Sequence, residues 1–177
     1  MNITTSPMPI ISMNIDITQQ PSLNKEESPM TYKDILPNLS PCGLDCGRCA
    51  DHSAGEIKHH ATKLRELLGN YGRLAKIKSA VQPAFNYYQD FEHLLDYFSS
   101  AHCGGCRSED CHCPIDCTVK TCHKEQGVDF CFQCSQFPCD KRLFSENLRD
   151  RWLKTNNRMK EIGPKEYYIE QSKLPRY

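Results

Sequence analysis

Hydrophobic residues recur at helical spacing through the middle of the chain. Two apolar stripes occupy the cysteine-free stretch between Cys49 and Cys103, and Pro83 separates them. The first stripe contains Ile57, Ala61, Leu64, Leu68, Tyr71, Leu74, Ile77 and Val81, and the second contains Ala84, Tyr87, Tyr88, Phe91, Leu94, Leu95 and Phe98. Such spacing is typical of amphipathic helices that bury one face. Residues 55–99 are therefore predicted to form a helical insert whose stripes pack inward, with a ligand groove as the alternative role of the aromatic residues.

The segment before the first cysteine carries no comparable pattern. Residues 1–36 are rich in Ser, Thr, Asn, Gln and Pro and have no sustained hydrophobic period, so we expect a disordered N-terminal extension. Met30 offers a more economical start, which makes residues 1–29 a candidate product of an upstream start codon. The cysteine-rich domain is predicted to span residues 37–160.

The other end of the chain contains one further helical pattern. A last helix is predicted after Pro138, with an apolar face made of Leu143, Phe144, Leu148 and Trp152. Residues 161–177 are expected to form a polar C-terminal tail with a turn at Gly163 and Pro164, followed at most by a short helix.

Cysteine content decides how this chain is stabilised. Twelve of the 177 residues are cysteine, and a hydrophobic content of 38% is modest for a self-sufficient core. No export signal precedes the cysteines, and no apolar run is long enough to cross a bilayer. We therefore expect a cytoplasmic protein, in which clustered thiols bind metal more often than they form disulfides. An even number of cysteines also fits six disulfides.

The spacing of the cysteines indicates metal ligands. Three C-x2-C pairs begin at Cys46, Cys103 and Cys131. Two intervening residues let both sulfurs reach one tetrahedral ion, while backbone N–H groups point back at the thiolates. The candidate ligands are Cys42, Cys46, Cys49, Cys103, Cys106, Cys111, Cys113, Cys117, Cys122, Cys131, Cys134 and Cys139. Metal would also supply folding energy to a domain with a small core.

The opening motif SPCGLDCGRCADH raises the question of its fourth ligand. It contributes Cys42, Cys46 and Cys49, whereas a structural zinc site takes four ligands. Nine cysteines follow the helical insert. If one of these distal cysteines supplies the fourth sulfur of the opening motif, eight remain, which is enough for two further sites of four. We therefore expect the fourth sulfur to be distal. His52 is the local alternative.

Zinc and iron–sulfur clusters both suit these thiols. Twelve cysteines divide into three tetrahedral zinc sites, and Cys113–Pro114 resembles the end of a ferredoxin cluster run, although the full run is absent. Histidine replaces one sulfur in some zinc sites, and the four histidines beside cysteines are His52, His102, His112 and His123. Surface or packing roles are the alternative for each of them.

Enzyme motifs are weak or absent. The spacing Cys42-x3-Cys46-x2-Cys49 is the one by which radical S-adenosylmethionine enzymes bind a cluster, but those enzymes place it after a strand that opens a large α/β barrel. Here a helical pattern follows. We find no βαβ context for a thioredoxin-like C-x2-C, no P-loop and no nucleophile elbow. The sequence therefore leans against an enzyme without excluding one.

Charge gives no global indication of a partner. Lys plus Arg and Asp plus Glu both number 22, so nothing favours nucleic acid or an anionic membrane. Twelve thiolates around three divalent ions would nevertheless leave a net charge of about minus six. The basic residues beside the cysteines, which are candidates to compensate that charge, are Arg48, Arg107, Lys120, Lys124 and Lys141.

Several ordered motifs together resemble one known family. They are P-C-G-L-D-C-x-x-C from Pro41, C-x-G-C from Cys103, C-x4-C from Cys117, K-x-x-G-V-x-x-C-x-x-C ending at Cys134, F-P-C ending at Cys139, and the closing G-P-K-E-Y-Y-I-E-Q. These motifs resemble the domain of unknown function 3795 family. The resemblance implies a small prokaryotic, cysteine-rich, metal-binding protein with no established reaction. The Cys111-x-Cys113 doublet departs from the family's usual longer spacer.

These observations predict a mainly α, metal-stapled domain with a helical insert and little or no sheet. The leading functional hypothesis is a cytoplasmic protein with structural zinc that acts as an interaction or accessory module, with a protein partner left open. The main alternative is an iron–sulfur protein that transfers electrons or assists an anaerobic enzyme. A third hypothesis is metal storage or sensing through exchangeable thiolates.

Overall fold

Every regular element that the structure describes is a helix. The structure is a computed structural model that describes residues 30–115, 117–140 and 145–177. Its α-helices are α1 (Tyr32–Ile35), α2 (Glu56–Leu68), α3 (Gly72–Lys78), α4 (Tyr88–Ser99), α5 (Val119–Glu125), α6 (Glu146–Ile162) and α7 (Pro164–Ser172), and 3-10 helices span Pro83–Tyr87 and Cys131–Gln133. These ranges contain isolated bridges but no strand. The mainly helical fold is therefore confirmed.

The insert forms the predicted helices, and they pack mainly on one another. Helix α2 lies along α4, where Arg65 Nε is 2.9 Å from Asp96 Oδ1. Tyr71, at the start of α3, packs its ring 5.6 Å from that of Tyr88 on α4. Among the described residues, no helix of the insert packs extensively against α1, α5, α6 or α7. The insert is thus a separate helical unit joined to the rest of the chain at its two ends.

The apolar stripes of the insert are only partly buried. Ala61, Ala75 and Leu95 are buried, but Leu64 is 41% exposed and Ile77 72% exposed. The prediction that both stripes turn inward is therefore wrong for much of their length. Two packed helices cover only the facing sides of each other, and the remaining apolar side chains have no described element over them. Helical periodicity located the helices correctly but did not reveal how little protein lies against them.

The remaining elements form the body, defined here as all described residues outside 55–99. Its main core combines Ile35, Leu39, Phe130, Met159 and Tyr167, and a second cluster combines Cys42, Val119 and Trp152. Asn156 on α6 is fully buried and connects the segment around Cys42 with the segment around Cys131. Its side-chain amide donates to the carbonyl of Cys42 at 2.9 Å and accepts from the N–H of Phe132 at 3.1 Å. Helix α6 thus holds both segments in place.

Both predicted ends of the domain need correction. Residues 32–36 belong to the body, because α1 carries the fully buried Ile35 into the core. Residues 1–29 lie outside the described residues. The C-terminal segment is not a tail either, since α7 places Tyr167 in the core and its hydroxyl 3.3 Å from the carbonyl of Gly43. Helix α1 is a single turn, and α7 is a polar helix with one inward ring. Neither therefore produces a clear hydrophobic periodicity in the sequence.

The last predicted helix exists but begins later than expected. It is α6, which starts at Glu146, and the predicted inward residue Trp152 is buried. Leu143 and Phe144 lie outside the described residues. None of the helices within the described ranges is long and apolar enough to span a membrane.

Gly43, the first glycine of the opening motif, lets the chain approach α6. Gly43 has a φ of +88°, a region that L side chains rarely adopt. A Cβ at this position would also collide with the side chains of Thr155 and Met159 on α6. The glycine after Cys42 is therefore required both by backbone conformation and by close packing.

Candidate thiol sites

The distal cysteines surround a small apolar cavity. Cys122 lies on α5, Cys131 begins the second 3-10 helix, and Cys134 and Cys139 follow it. Together they line a cavity of about 30 Å³, here called the distal thiol cavity, whose walls include Val119, Phe137 and Trp152. The backbone N–H of Gln136 points at Cys134 Sγ from 3.5 Å. Four thiols around one enclosed space form a donor set of the size that tetrahedral zinc takes.

A second group of cysteines borders a much larger space, here called the open thiol cavity. It has a volume of about 300 Å³, and its thiols belong to Cys46, Cys49, Cys103, Cys106 and Cys113. Cys46 Sγ and Cys106 Sγ, from motifs 60 residues apart, lie 3.9 Å from each other. This contact places Cys46 of the opening motif beside a cysteine from beyond the insert. A distal fourth ligand for the opening motif stays a prediction.

Two backbone N–H groups point at the sulfur of Cys103. The N–H groups of Gly105 and His112 lie 3.4 Å and 3.3 Å from Cys103 Sγ. Gly105 has a φ of +86°, which allows the tight turn between Cys103 and Cys106. Backbone N–H groups that point back at the sulfur are the arrangement predicted for the C-x2-C loops.

Cys42 lines a different cavity from Cys46 and Cys49. It is buried, and it lines a third cavity of about 40 Å³ together with Cys106, Cys113 and Cys117. Ser40 Oγ lies 3.0 Å from its sulfur. The three cysteines of the opening motif therefore do not face one cavity, although the spacing grouped them together.

The C-terminal residues complete the wall of the open thiol cavity, and sequence reasoning missed them. The hydroxyl of Tyr177 lies 3.6 Å from Cys49 Sγ and accepts the N–H of Ala50 at 2.9 Å. Arg176 Nε donates to the carbonyl of Asp45 at 3.0 Å. The only available signal was an arginine and a tyrosine that end an otherwise polar segment.

The basic residues that were candidates for charge compensation have different roles. Arg48 donates to the carbonyls of Gln171 and Leu174 and so fixes the C-terminal segment. Arg107 donates to the carbonyl of Leu39 and also lies near the Cys46–Cys106 pair. Lys120 donates to the carbonyl of Cys113, Lys124 pairs with Glu109, and Lys141 lies outside the described residues.

The histidines beside cysteines separate into three environments. His52 lines the open thiol cavity, and its Nδ1 accepts the N–H of Ala54 at 3.3 Å. His123 lines the distal thiol cavity, and its buried Nε2 has no hydrogen-bond partner within the described chain. His102 and His112 lie together on a different, exposed cavity. An unpaired buried nitrogen among four thiols marks His123 as the histidine best placed to join a sulfur site.

Comparison with known proteins supplies the family. A model described as "Protein of unknown function (DUF3795)" matches residues 38–143. The chain belongs to the DUF3795 family. The match contains every cysteine of the chain. No curated protein and no solved structure matches the chain.

Burial and neighbouring groups shift the thiol pKa values of this DUF3795 protein in both directions. The hydrogen bond with Cys106 lowers the pKa of Cys46 to about 6, and the charge of Arg176 helps. The same contact raises the pKa of Cys106, since only one sulfur of the pair ionises easily. Burial raises the pKa of Cys42 to about 11 and that of Cys131 to about 12. Among these four thiols, only that of Cys46 has a lowered pKa.

The cysteines suit a metal by their chemistry and their spacing in the sequence, but their sulfurs do not yet surround a common point. Among residues 30–115, 117–140 and 145–177, no three Cys, His, Asp or Glu side chains converge to hold an ion as they stand. Two thiolates on one tetrahedral zinc, each at about 2.3 Å, would lie about 3.8 Å apart. The separation of 3.9 Å between Cys46 Sγ and Cys106 Sγ agrees with that value. The other sulfurs need side-chain rotation to reach a common centre.

Proposed function

We propose that this DUF3795 protein is a metal-binding protein whose cysteine thiolates hold structural zinc. The observation that carries the proposal is the approach of Cys46 Sγ to Cys106 Sγ, 3.9 Å apart. These cysteines come from two separate C-x2-C motifs, and the spacing matches the edge of a zinc tetrahedron. Disulfide bonding would require these sulfurs to close to about 2 Å.

The cavities support a division of the twelve cysteines into three groups of four. The first group lines the open thiol cavity and comprises Cys46, Cys49, Cys103 and Cys106. The second lines the distal thiol cavity and comprises Cys122, Cys131, Cys134 and Cys139. The third comprises Cys42, Cys113 and Cys117, which line the third cavity, and Cys111, whose charge acts on Cys113. His123 is a further donor for the second group.

Zinc bound to these groups would supply folding energy by linking loops that contribute few large side chains to the core. The chain's own part is to present the thiolates and to stabilise their charge. Backbone N–H groups of Gly105, His112 and Gln136 point at sulfurs of the first and second groups. Arg176 and Arg107 place positive charge beside the Cys46–Cys106 pair.

The exposed face of the insert supports a role as an interaction or accessory module. Leu67, Ile77 and Tyr87 are each at least 70% exposed, and no described element covers them. A contiguous patch of such side chains would be typical of a surface that binds another protein. We assign the zinc-bound body a structural role and leave the partner unidentified.

An iron–sulfur cluster is the second candidate, and one observation favours it. The open thiol cavity measures about 300 Å³, which is more space than a single zinc ion needs. Thiolates are the usual ligands of such clusters. A cluster in this cavity would make the protein an electron carrier or an accessory to an anaerobic enzyme.

Anaerobic purification followed by elemental analysis and visible absorption spectroscopy tests the proposal. We expect a colourless protein that contains zinc, because zinc has a filled d shell. Brown protein that contains iron and acid-labile sulfide would transfer the assignment to the second candidate. Protein without any bound metal would refute both.

A further inference from the structure

Two exposed imidazoles meet at a cavity that shares Asp51 and Cys103 with the open thiol cavity. The rings of His102 and His112 have centroids 4.4 Å apart and are inclined by 54°. Both side chains are exposed, and neither ring has a hydrogen-bond partner among the described residues. Their four ring nitrogens are thus available to a ligand from solution.

The backbone holds the two histidines together although nine residues separate them. The N–H of Gly104 donates to the carbonyl of Asp110 at 2.8 Å, and the N–H of His112 points at Cys103 Sγ from 3.3 Å. Cys103 is itself fixed from the other side, because its N–H donates to the carbonyl of Asp51 at 2.9 Å. The pair therefore sits on an anchored loop, and its proximity follows from the backbone.

The separation of the rings agrees with coordination of one ion. An imidazole bound through nitrogen at about 2.0–2.1 Å has its ring centre about 3.2 Å from the metal, so two such rings lie about 4.5 Å apart at a right angle and about 5.2 Å apart at the tetrahedral angle. The observed 4.4 Å is close to the first value and short of the second by less than 1 Å. One nitrogen of each ring would have to turn toward a shared point for both to bind the same ion.

The surroundings leave room for the remaining ligands. His102 and His112 line a cavity of about 370 Å³ with Asp51 and Tyr97. One carboxylate oxygen of Asp51 accepts the Tyr97 hydroxyl at 2.6 Å, and the other lies 3.8 Å from Cys49 Sγ. The carboxylate adds negative charge at the edge of the same cavity, while water can fill the open coordination positions.

We propose that His102 and His112 form a surface binding site for one divalent transition-metal ion, separate from the thiol sites. Two neutral imidazoles favour Zn²⁺, Ni²⁺ or Cu²⁺ over Mg²⁺ or Ca²⁺, which prefer oxygen ligands. With only two protein ligands, the site binds more weakly and exchanges faster than a closed site of four thiolates. The proposal does not depend on metal at the cysteines, because its two ligands are imidazoles, although Cys103 borders the same cavity.

Titration with Ni²⁺ tests this site in the full-length protein. The protein is first loaded with zinc and dialysed against zinc-free buffer, so that the thiols keep their ions and the weakly binding histidine pair loses its own. Ni²⁺ binding is then followed by calorimetry and by paramagnetic broadening of histidine ring signals in NMR spectra. We expect one Ni²⁺ per chain beyond the zinc, with selective broadening of His102 and His112. His102→Ala and His112→Ala should each weaken this binding at least tenfold.

His59 and His60 provide the matched control. Their rings are also exposed neighbours, with centroids 5.4 Å apart, but they are consecutive on α2 and point in different directions around the helix. His59→Ala combined with His60→Ala should leave Ni²⁺ affinity unchanged. Unchanged affinity in His102→Ala and His112→Ala, a loss in only one of these two variants, or no Ni²⁺ binding at all would overturn the proposal. Circular dichroism verifies that each variant is folded.

Discussion

The insert and the body of this DUF3795 protein are stabilised in different ways. The insert has no cysteine, and its helices pack along one another while much of their apolar surface stays exposed. The body contains all twelve cysteines and two small hydrophobic clusters. Local helix pairing is enough to define the insert, whereas the body depends on contacts between segments far apart in sequence. The comparison shows that helical periodicity accounts for the insert, whereas the fold of the body depends on contacts that are distant in sequence.

Metal removal should affect the two regions most unequally. Structural zinc contributes on the order of 10 kcal/mol or more, which is comparable to the whole stability of a small domain, so a chelator should unfold the body. The only tryptophan, Trp152, lies buried in the body and reports on it alone. We expect its fluorescence to shift to that of an exposed indole, while part of the helical circular dichroism persists from the insert. Unchanged Trp152 emission after verified metal removal would contradict this.

Core truncation should be costly in the body and almost neutral on the insert surface. Phe130 is fully buried, so Phe130→Ala should lower the free energy of unfolding by about 3–5 kcal/mol. Leu67 is 73% exposed, and Leu67→Ala should change it by about 0.5 kcal/mol or less. Urea unfolding of the metal-loaded protein measures both. A large loss in Leu67→Ala would mean that the insert face is covered in solution.

Substitution of Gly43 in the opening motif should destabilise the protein more than substitution of another glycine with a similar backbone conformation. Gly43→Ala introduces both backbone strain and overlap with α6, for which we expect a loss of about 2–4 kcal/mol. Gly127 has a φ of +62° but no atom within 4 Å of the added Cβ, so Gly127→Ala should lose only the strain, about 1 kcal/mol. Thermal unfolding of the two variants separates close packing from conformation. Equal losses would show that the approach to α6 contributes nothing.

The smallest effect is expected from surface ion pairs between helices. In the body, Arg158 Nε donates to Glu170 Oε2 at 3.1 Å, and this contact lowers the pKa of Glu170. A lowered pKa in the folded state stabilises the protein above the ordinary value of 4.5, and that contribution disappears as the pH falls through the lowered pKa. Glu170→Gln should therefore reduce the Tm slightly at pH 7 and less at a pH well below 4.5.

Asp96→Asn removes the corresponding pair of the insert, between Arg65 and Asp96. It should have an equally small effect on the Tm at pH 7, because both pairs are exposed to solvent and screened by salt. A Tm loss in Glu170→Gln that is as large at low pH as at pH 7 would attribute it to packing and not to charge.

Sequence reasoning predicted the helices better than the arrangement of the thiols. Helical periodicity gave α2, α4 and α6, and C-x2-C spacing indicated that Cys46 and Cys103 belong to turns that present sulfurs. It did not reveal that Cys42 and Cys49 line different cavities, because that follows from the packing of Cys42 against Trp152 on α6. Tyr177 joins the cavity wall through a contact 128 residues away in sequence, at Cys49, and no local pattern indicates such a contact.

The most direct test of the central claim compares the metal content of Cys46→Ser, Cys106→Ser and the double variant. Twelve cysteines at four per ion correspond to about three zinc ions per chain in the unmodified protein. If Cys46 and Cys106 bind the same ion, each single variant loses one ion and the double variant loses no more than that. Elemental analysis of anaerobically purified protein measures the loss. Two ions lost in the double variant, or none in either single variant, would contradict a shared site.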